Sequence, residues 1–431
     1  MAKTIVLVSA NHSFSGRNSR FSDAVDIRIT NLYVKLDANH ERGMQMKVID
    51  VKTYLVGSGA DHTGMWGEKN WLFVEVETDE GIRGWGEVYT QLDRDRNIER
   101  CVHEMKRYLV GRDPSNIKHF AYMVYNDFAF RRGSMELYSA LSGIEQALWD
   151  IVGKRLETST YNLLGGICRE RIRVYANGWS DNAKTPEDYA EMAVATVKRG
   201  FNALKFDPFG GPWRLFIDKK LERTAVANFS AVREAVGPEV DLLIEVHRRL
   251  APMHAMRVSR MMEEFQPFWY EEPVPSENIP ALAEVRNQTN IPVVTGEALY
   301  TKAAFREVFE RRAADIINPD VCNCGGILEL KEIAAMAEPY YVAVAPHNYN
   351  STTIGLAATI QVAACIPNFL ITEYFVNFEE AGKELSVEPF NVENGYIRIP
   401  TRPGLGLELR EEILLERPGQ EKPKRTLREY Y

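Results

Sequence analysis

Three glutamates, Glu245, Glu271 and Glu297, recur at intervals of 26 residues, and each closes a short run of apolar, β-branched residues. Asp320, His347 and Glu373 continue the pattern at intervals of 23, 27 and 26. Apolar strands that each end in an ionisable group are hard to explain as packing, because such groups are costly to bury alone. One group per strand would set these side chains on a common rim. Three adjacent carboxylates there form a hard, oxygen-only cluster, and left bare they would repel one another and raise their pKa values. Such a set suits Mg2+ far better than zinc. For one glutamate alone, a salt bridge to a neighbouring lysine or arginine is the simpler explanation; three in register argue for an ion.

His347 stands one strand beyond Asp320. An imidazole and a carboxylate on neighbouring strands can hydrogen-bond, with the carboxylate fixing the tautomer and favouring the imidazolium, which makes a general-base dyad. His247, two residues after Glu245, lies across the rim, so a ligand held on the metal would meet an imidazole on each face. Lys205 and Asp207 close another apolar run, and Arg248 follows His247. The remaining six of eight histidines, His254 among them, read as structural. His62 is a partial exception: with Trp66 it lies in the Gly-rich run from Gly57 to Gly67, long enough to act as a lid.

The elements that must position these groups follow from pattern. The chain has 431 residues, 45% hydrophobic and 26% charged, which is long enough for two cores or one large one. Its formal net charge of −8, with both signs interspersed, argues against a nucleic-acid surface. No apolar stretch approaches the ~18 residues needed to span a bilayer. Five scattered cysteines are no disulfide framework, and Cys322-x-Cys324 lacks a second ligand pair for zinc, so a reducing cytoplasm is the expected compartment. Residues 1–45 are polar and aperiodic, an N-terminal extension or a start assigned upstream of Met44 or Met46. Residues 46–165 predict an α+β domain: strands Val48–Val56, Trp71–Thr78 and Ile82–Val88, then helices Asn97–Val110, Asn116–Phe130 and Ser139–Lys154.

From residue 166 to 375, short β-branched runs alternate with amphipathic helices. The runs are Ile172–Ala176, Ala203–Phe206, Leu242–Val246, Phe268–Tyr270, Pro292–Thr295, Asp315–Asn318, Tyr341–Ala345 and Phe369–Thr372. Eight strands, each but the last followed by a helix, predict an α/β parallel barrel with its chemistry at the C-terminal strand ends, an open doubly wound sheet being the alternative. Residues 376–431 form a C-terminal segment in which Glu411–Glu416 and Glu421–Tyr431 read as a solvated tail. Its basic cluster, Lys422, Lys424, Arg425 and Arg428, is too small for nucleic acid.

From Met46 to Arg410 the chain resembles the enolase superfamily, in particular the mandelate racemase subgroup and its sugar-acid dehydratases of the galactonate type. The motifs are SALSGIEQALWDIVGK, WYEEPVPSEN, IPVVTGEALYT, INPDVCNCGGI and VAPHN, in the expected order. The resemblance implies a modified (β/α)7β barrel under a cap built from the N-terminal α+β domain and the C-terminal segment. It implies that Glu245, Glu271 and Glu297 bind one Mg2+ per subunit, that His347 and Asp320 form the base dyad, and that Glu373 supports the substrate carboxylate. His247 would protonate a departing hydroxyl.

Two departures stand out. Racemase-type members carry Lys-x-Lys where this chain has Lys205-Phe206-Asp207, so a second-face lysine base is missing. Galactonate-type enzymes commonly have Asp where Glu245 stands, and Arg248-Arg249 follows His247 here. The expected activity is Mg2+-dependent dehydration of an aldonate, galactonate- or gluconate-like, to a 2-keto-3-deoxy acid, with Lys205 assisting. Asp207, Arg248, Trp66 and His62 are expected to contact the substrate. The alternatives are a cycloisomerase or an epimerase using the same enediolate, and an inactive binding or regulatory member. The expected partners are a small sugar acid and further copies of the same chain, with neither nucleic acid nor membrane.

Overall fold

The computed structural model describes residues 46–58, 69–210, 214–349 and 351–421. The expected N-terminal extension, His62 and Trp66 lie outside them.

Strands β1 (Val48–Gly57), β2 (Asn70–Thr78) and β3 (Arg83–Val88) form an antiparallel sheet with β2 in the centre. Helices α1 (Asp95–Leu109), α2 (Ile117–Met123) and α3 (Met135–Arg155) follow, and Val124–Phe128 extends α2 by a wider turn. Ser134 starts α3 by accepting a hydrogen bond from Leu137 N, satisfying one of the donors a helix leaves open at its start. Helix α3 lies directly on β3 because β3 is nearly without side chains at the contact. A Cβ on Gly86 would stand 1.8 Å from the carbonyl oxygen of Gly143 in α3, so only glycine permits the approach. A four-residue helix, α4 (Thr160–Leu163), leads onward.

Strands and helices then alternate: β4 (Arg171–Asn177), α5 (Pro186–Lys198), β5 (Ala203–Phe206), α6 (Lys219–Val236), β6 (Asp241–Glu245), α7 (Pro252–Met262), β7 (Trp269–Glu271) and α8 (Ile279–Asn287). They continue through β8 (Val293–Thr295), α9 (Thr301–Glu310), β9 (Ile316–Ile317), α10 (Ile327–Ala337), β10 (Ala343–Val344), α11 (Ile354–Cys365), β11 (Thr372–Phe375) and α12 (Glu379–Leu385). Neighbours from β4 to β10 pair in parallel. The sheet closes where β11 pairs in parallel with β4, Glu373 opposite Tyr175, and where Val344 bridges Phe369. That closure excludes the open doubly wound sheet. The eighth strand sits three residues later than the apolar run Phe369–Thr372 suggests, because that run spends its backbone bonds on β10 before β11 turns to β4.

Strand period explains the barrel's interior. Its apolar plug is Tyr175, Ala203, Leu243, Trp269, Val294, Ile316, Ala345 and Ile371, one residue per strand and all buried. Alternate residues share a face, so the residue two positions on also points inward, one layer higher. That layer reads Asn177, Lys205, Glu245, Glu271, Gly296, Asn318, His347 and Glu373. Glu297 and Asp320 lie one and two residues beyond it, and the short interval of 23 between them reflects the short unit from Gly296 to Asn318, itself 22 residues.

The chain ends with a hairpin, β12 (Val392–Glu393) and β13 (Tyr396–Arg398), and helix α13 (Glu411–Glu416). The expected solvated tail is corrected over its first ten residues. Leu414 is buried, Glu411 accepts from Arg83 at 3.0 Å and Tyr54 at 3.2 Å, and Pro418 bridges Val56. Of the helix's three glutamates only Glu411 is paired with the sheet; Glu412 and Glu416 are exposed. Among the described residues, no helix is long and apolar enough to cross a membrane.

Candidate active site

The C-terminal ends of β6, β7 and β8 bring Glu245, Glu271 and Glu297 together. One carboxylate oxygen of each lies within 4.8 Å of the others, and all three side chains are buried. Each also keeps one oxygen, Oε2, with no hydrogen-bond partner. Their other oxygens are occupied. Glu245 Oε1 accepts from the backbone N of His247 at 2.7 Å, Glu271 Oε1 from Asn318 Nδ2 at 2.8 Å, and Glu297 Oε1 from Arg248 Nη1 at 2.5 Å. These three buried, hard oxygens, with Lys205 Nζ 3.2 Å from that of Glu245 and His347 Nε2 3.3 Å from that of Glu297, are the set a small divalent cation completes. The residues present therefore fit Mg2+.

Two cations hold this cluster in place. Lys205 Nζ lies 2.8 Å from Glu271, 2.9 Å from Glu373 and 3.2 Å from Glu245. Burial disfavours its charge, but Glu271 and Glu373 outweigh burial and hold its pKa well above the usual lysine range. Arg248 spans Glu297 and Glu272, the latter at 3.1 Å. Burial followed by Glu245 pushes Glu271 well up, against Lys205. Burial also acts to raise Glu297, yet Arg248, His347 and His247 hold it below the usual range. Arg248 lines the cavity, and its guanidinium is paired with Glu297 and Glu272.

The two imidazoles face different surroundings. His347 Nδ1 lies 2.7 Å from Asp320 Oδ2, while its Nε2 points to Glu297 at 3.3 Å and Glu373 at 3.5 Å. Burial opposes its charge, but Glu373, Glu297 and Asp320 push its pKa up to about 9. Asp320 is itself fixed by the backbone N atoms of Cys322 at 2.7 Å and Tyr349 at 3.2 Å. His247 Nδ1 lies 3.1 Å from Asp207 Oδ2, and burial lowers its pKa, with Glu245 opposing. Asp207 is held in turn by Arg249 and by Phe209 N at 2.9 Å, so it orients His247. His247 and Arg248 both adopt left-handed backbone, φ 54° and 60°, at a cost of about 1–2 kcal/mol each. That turn aims one side chain at the cavity and the other at Glu297.

Glu373 accepts from Asn177 Nδ2 at 2.8 Å and Asn348 N at 3.1 Å. Asn177 and Asn318 escape a reading that looks for charge, although both stand two residues beyond an inward apolar residue. Outside the rim, His254 is structural as expected, buried with Nδ1 2.8 Å from Glu222. A cavity of about 340 Å³ opens over the rim, walled by both imidazoles, Lys205, Asp207, Tyr89 and Tyr349 among others.

Comparison with known proteins agrees with this geometry. Residues 51–165 match the mandelate racemase / muconate lactonizing enzyme N-terminal domain, and residues 188–413 match the enolase C-terminal domain-like family. The chain belongs to the enolase superfamily. A D-galactonate dehydratase of Ralstonia pickettii is 36% identical over 354 residues, 80% of this chain and 91% of that protein. A D-gluconate dehydratase of Thermoproteus tenax is 34% identical over 344 residues, 80% of this chain and 69% of that protein. Among solved structures, a mandelate racemase/muconate lactonizing enzyme from Sulfitobacter superposes with a TM-score of 0.80 at 35% identity, covering 87% of this chain and 96% of that one. An enolase superfamily member from Salmonella Typhimurium gives 0.80 at 32% identity, covering 86% and 98%.

Proposed function

We propose that the protein is a Mg2+-dependent hydro-lyase that dehydrates an aldonate of the galactonate or gluconate kind to a 2-keto-3-deoxy acid. The observation that carries this reading is the rim itself: three open carboxylate oxygens flanked by two imidazoles in separate settings. The names of the relatives supply the substrate class. Glu245, Glu271 and Glu297 would hold the ion. When bound, Mg2+ supplies charge neutralisation for the substrate carboxylate as the α-proton leaves.

The residues of the chain do the rest. His347, held in one tautomer by Asp320, takes the α-proton at Nε2 in its neutral form, which prevails only above about pH 9 while the carboxylates around it are bare. Lys205 and Glu373, locked to each other, flank the carboxylate end. His247, steered by Asp207, gives a proton to the 3-hydroxyl as it departs. One proton and one hydroxide leave, water is the sum, and the enol tautomerises to the keto acid. Lys205 is bound to three carboxylates and so is a poor second base, which favours elimination over epimerisation.

The test is to incubate the protein with Mg2+ and a panel of sugar acids and measure 2-keto acid. Turnover of an aldonate that chelator abolishes is expected. Solvent deuterium entering the substrate with no keto product would instead favour the epimerase alternative. In the same reading the chain works in the cytoplasm as a homo-oligomer, and light scattering would read the subunit number.

A further inference from the structure

The cavity has two unlike ends. At the rim, the cations Lys205 and Arg248 lie among carboxylates. The loop after β4, across the barrel from β8, adds Ser180 and Asp181 to the lining beyond Asn177 of the rim, and Gln91 also lines the cavity. Those are amides, a hydroxyl and a carboxylate, groups that exchange hydrogen bonds with hydroxyls. Asp181 Oδ2 accepts from Asn377 Nδ2 at 2.7 Å, so a neutral amide holds the carboxylate on the wall. Asn377 reaches it only because residue 178 is glycine. Gly178 has φ +73°, and a Cβ there would stand 2.2 Å from Asn377 Oδ1. Among the described residues no cation pairs with Asp181. Burial pushes its pKa up to about 6, which leaves it mostly ionised at neutral pH and above. The nearby Arg249 is already tied to Asp207.

We infer that Asp181 makes the far end of the cavity a charge filter, admitting the neutral hydroxyl end of a monocarboxylate and turning away a second carboxylate or a phosphate. The inference rests on the sugar-acid reading above and narrows it to aldonates over aldarates and phosphorylated acids. Two like charges about 6 Å apart in a partly buried site repel enough to cost on the order of 30- to 100-fold in binding.

The experiment pairs D-galactonate with galactarate and D-gluconate with D-glucarate on the Mg2+-loaded protein. It reads kcat/KM by keto-acid formation and Kd by calorimetry. The wild type is expected to favour each aldonate by at least about 30-fold. Asp181→Asn and, as a second variant, Asp181→Ser should narrow the ratio by about tenfold or more, mainly through tighter aldarate binding. A wild type that takes both acids alike, or variants that fold and leave the ratio unchanged, overturns the filter. If no acid is turned over, the dehydratase reading falls, while the Kd ratio still decides the filter. If neither variant folds, the wild-type ratio decides it.

Discussion

Two groups of buried carboxylates in this molecule are treated in opposite ways. Where the β1–β3 sheet and α3 meet the barrel, Glu87 accepts from Ser351 Oγ at 2.7 Å, Thr353 Oγ1 at 3.0 Å and Gly355 N at 2.7 Å. Glu145 accepts from Ile327 N at 2.7 Å, Leu328 N at 3.0 Å and Trp149 Nε1 at 2.8 Å. Asp150 accepts from Trp85 N at 3.0 Å and Leu405 N at 2.8 Å. Among the described residues no buried oxygen of these three is left without a hydrogen bond, the three donors to Glu87 all meeting its Oε2. On the rim, Oε2 of each of Glu245, Glu271 and Glu297 makes no hydrogen bond, although Lys205 stands 3.2 Å from that of Glu245 and His347 3.3 Å from that of Glu297. A carboxylate that serves the fold fills its lone pairs inside the protein, whereas one that serves a ligand keeps a lone pair open and is steadied by Lys205 or Arg248.

Substitutions on the two sides should therefore fail differently. The largest effect belongs to the rim. Glu271→Gln or His347→Asn should lower kcat/KM by about 10³-fold or more while the unfolding transition stays close to wild type. Steady-state kinetics beside thermal melts would check this, and a rim variant that unfolds instead would erase the distinction. Next comes the seam. Glu145→Ala strands two backbone donors and an indole N–H, and should cost about 3–4 kcal/mol in urea unfolding near pH 6. The kcat/KM of the folded protein should stay within tenfold.

A smaller effect follows from pH. Burial, against the two backbone donors, raises Glu145 to about 7 from an ordinary 4.5. The fold thus prefers its protonated form: this contribution to stability is full below about pH 4.5 and is lost as pH rises through 7, about 3 kcal/mol in all. Glu145→Gln, with no proton to lose, should flatten that part of the stability profile between pH 5 and 8. An unchanged slope would move the titration to another group.

Much of the rim is legible in sequence because charge at the end of an apolar strand is conspicuous and recurs at the length of one strand–helix unit. The closed barrel is legible for the same reason. The seam is not. Glu145 meets Ile327 across 182 residues, and its partners are backbone N–H groups that every residue carries. Asn177 and Asn318 are hidden by neutrality, and their positions emerge only once the inward face of each strand is known. That the Arg248 guanidinium is also committed to Glu297 is something no sequence pattern shows. The acidic run at Glu411 looked solvated because its cation, Arg83, is 328 residues away.

The most direct test of the contrast is a calorimetric Mg2+ titration of three proteins: wild type, Glu271→Gln and Glu145→Gln. One ion per chain should bind to the wild type and to Glu145→Gln with similar affinity, and binding to Glu271→Gln should weaken by about 100-fold or more. Equal binding to the wild type and Glu271→Gln would contradict the assignment of the open oxygens on the rim to an ion.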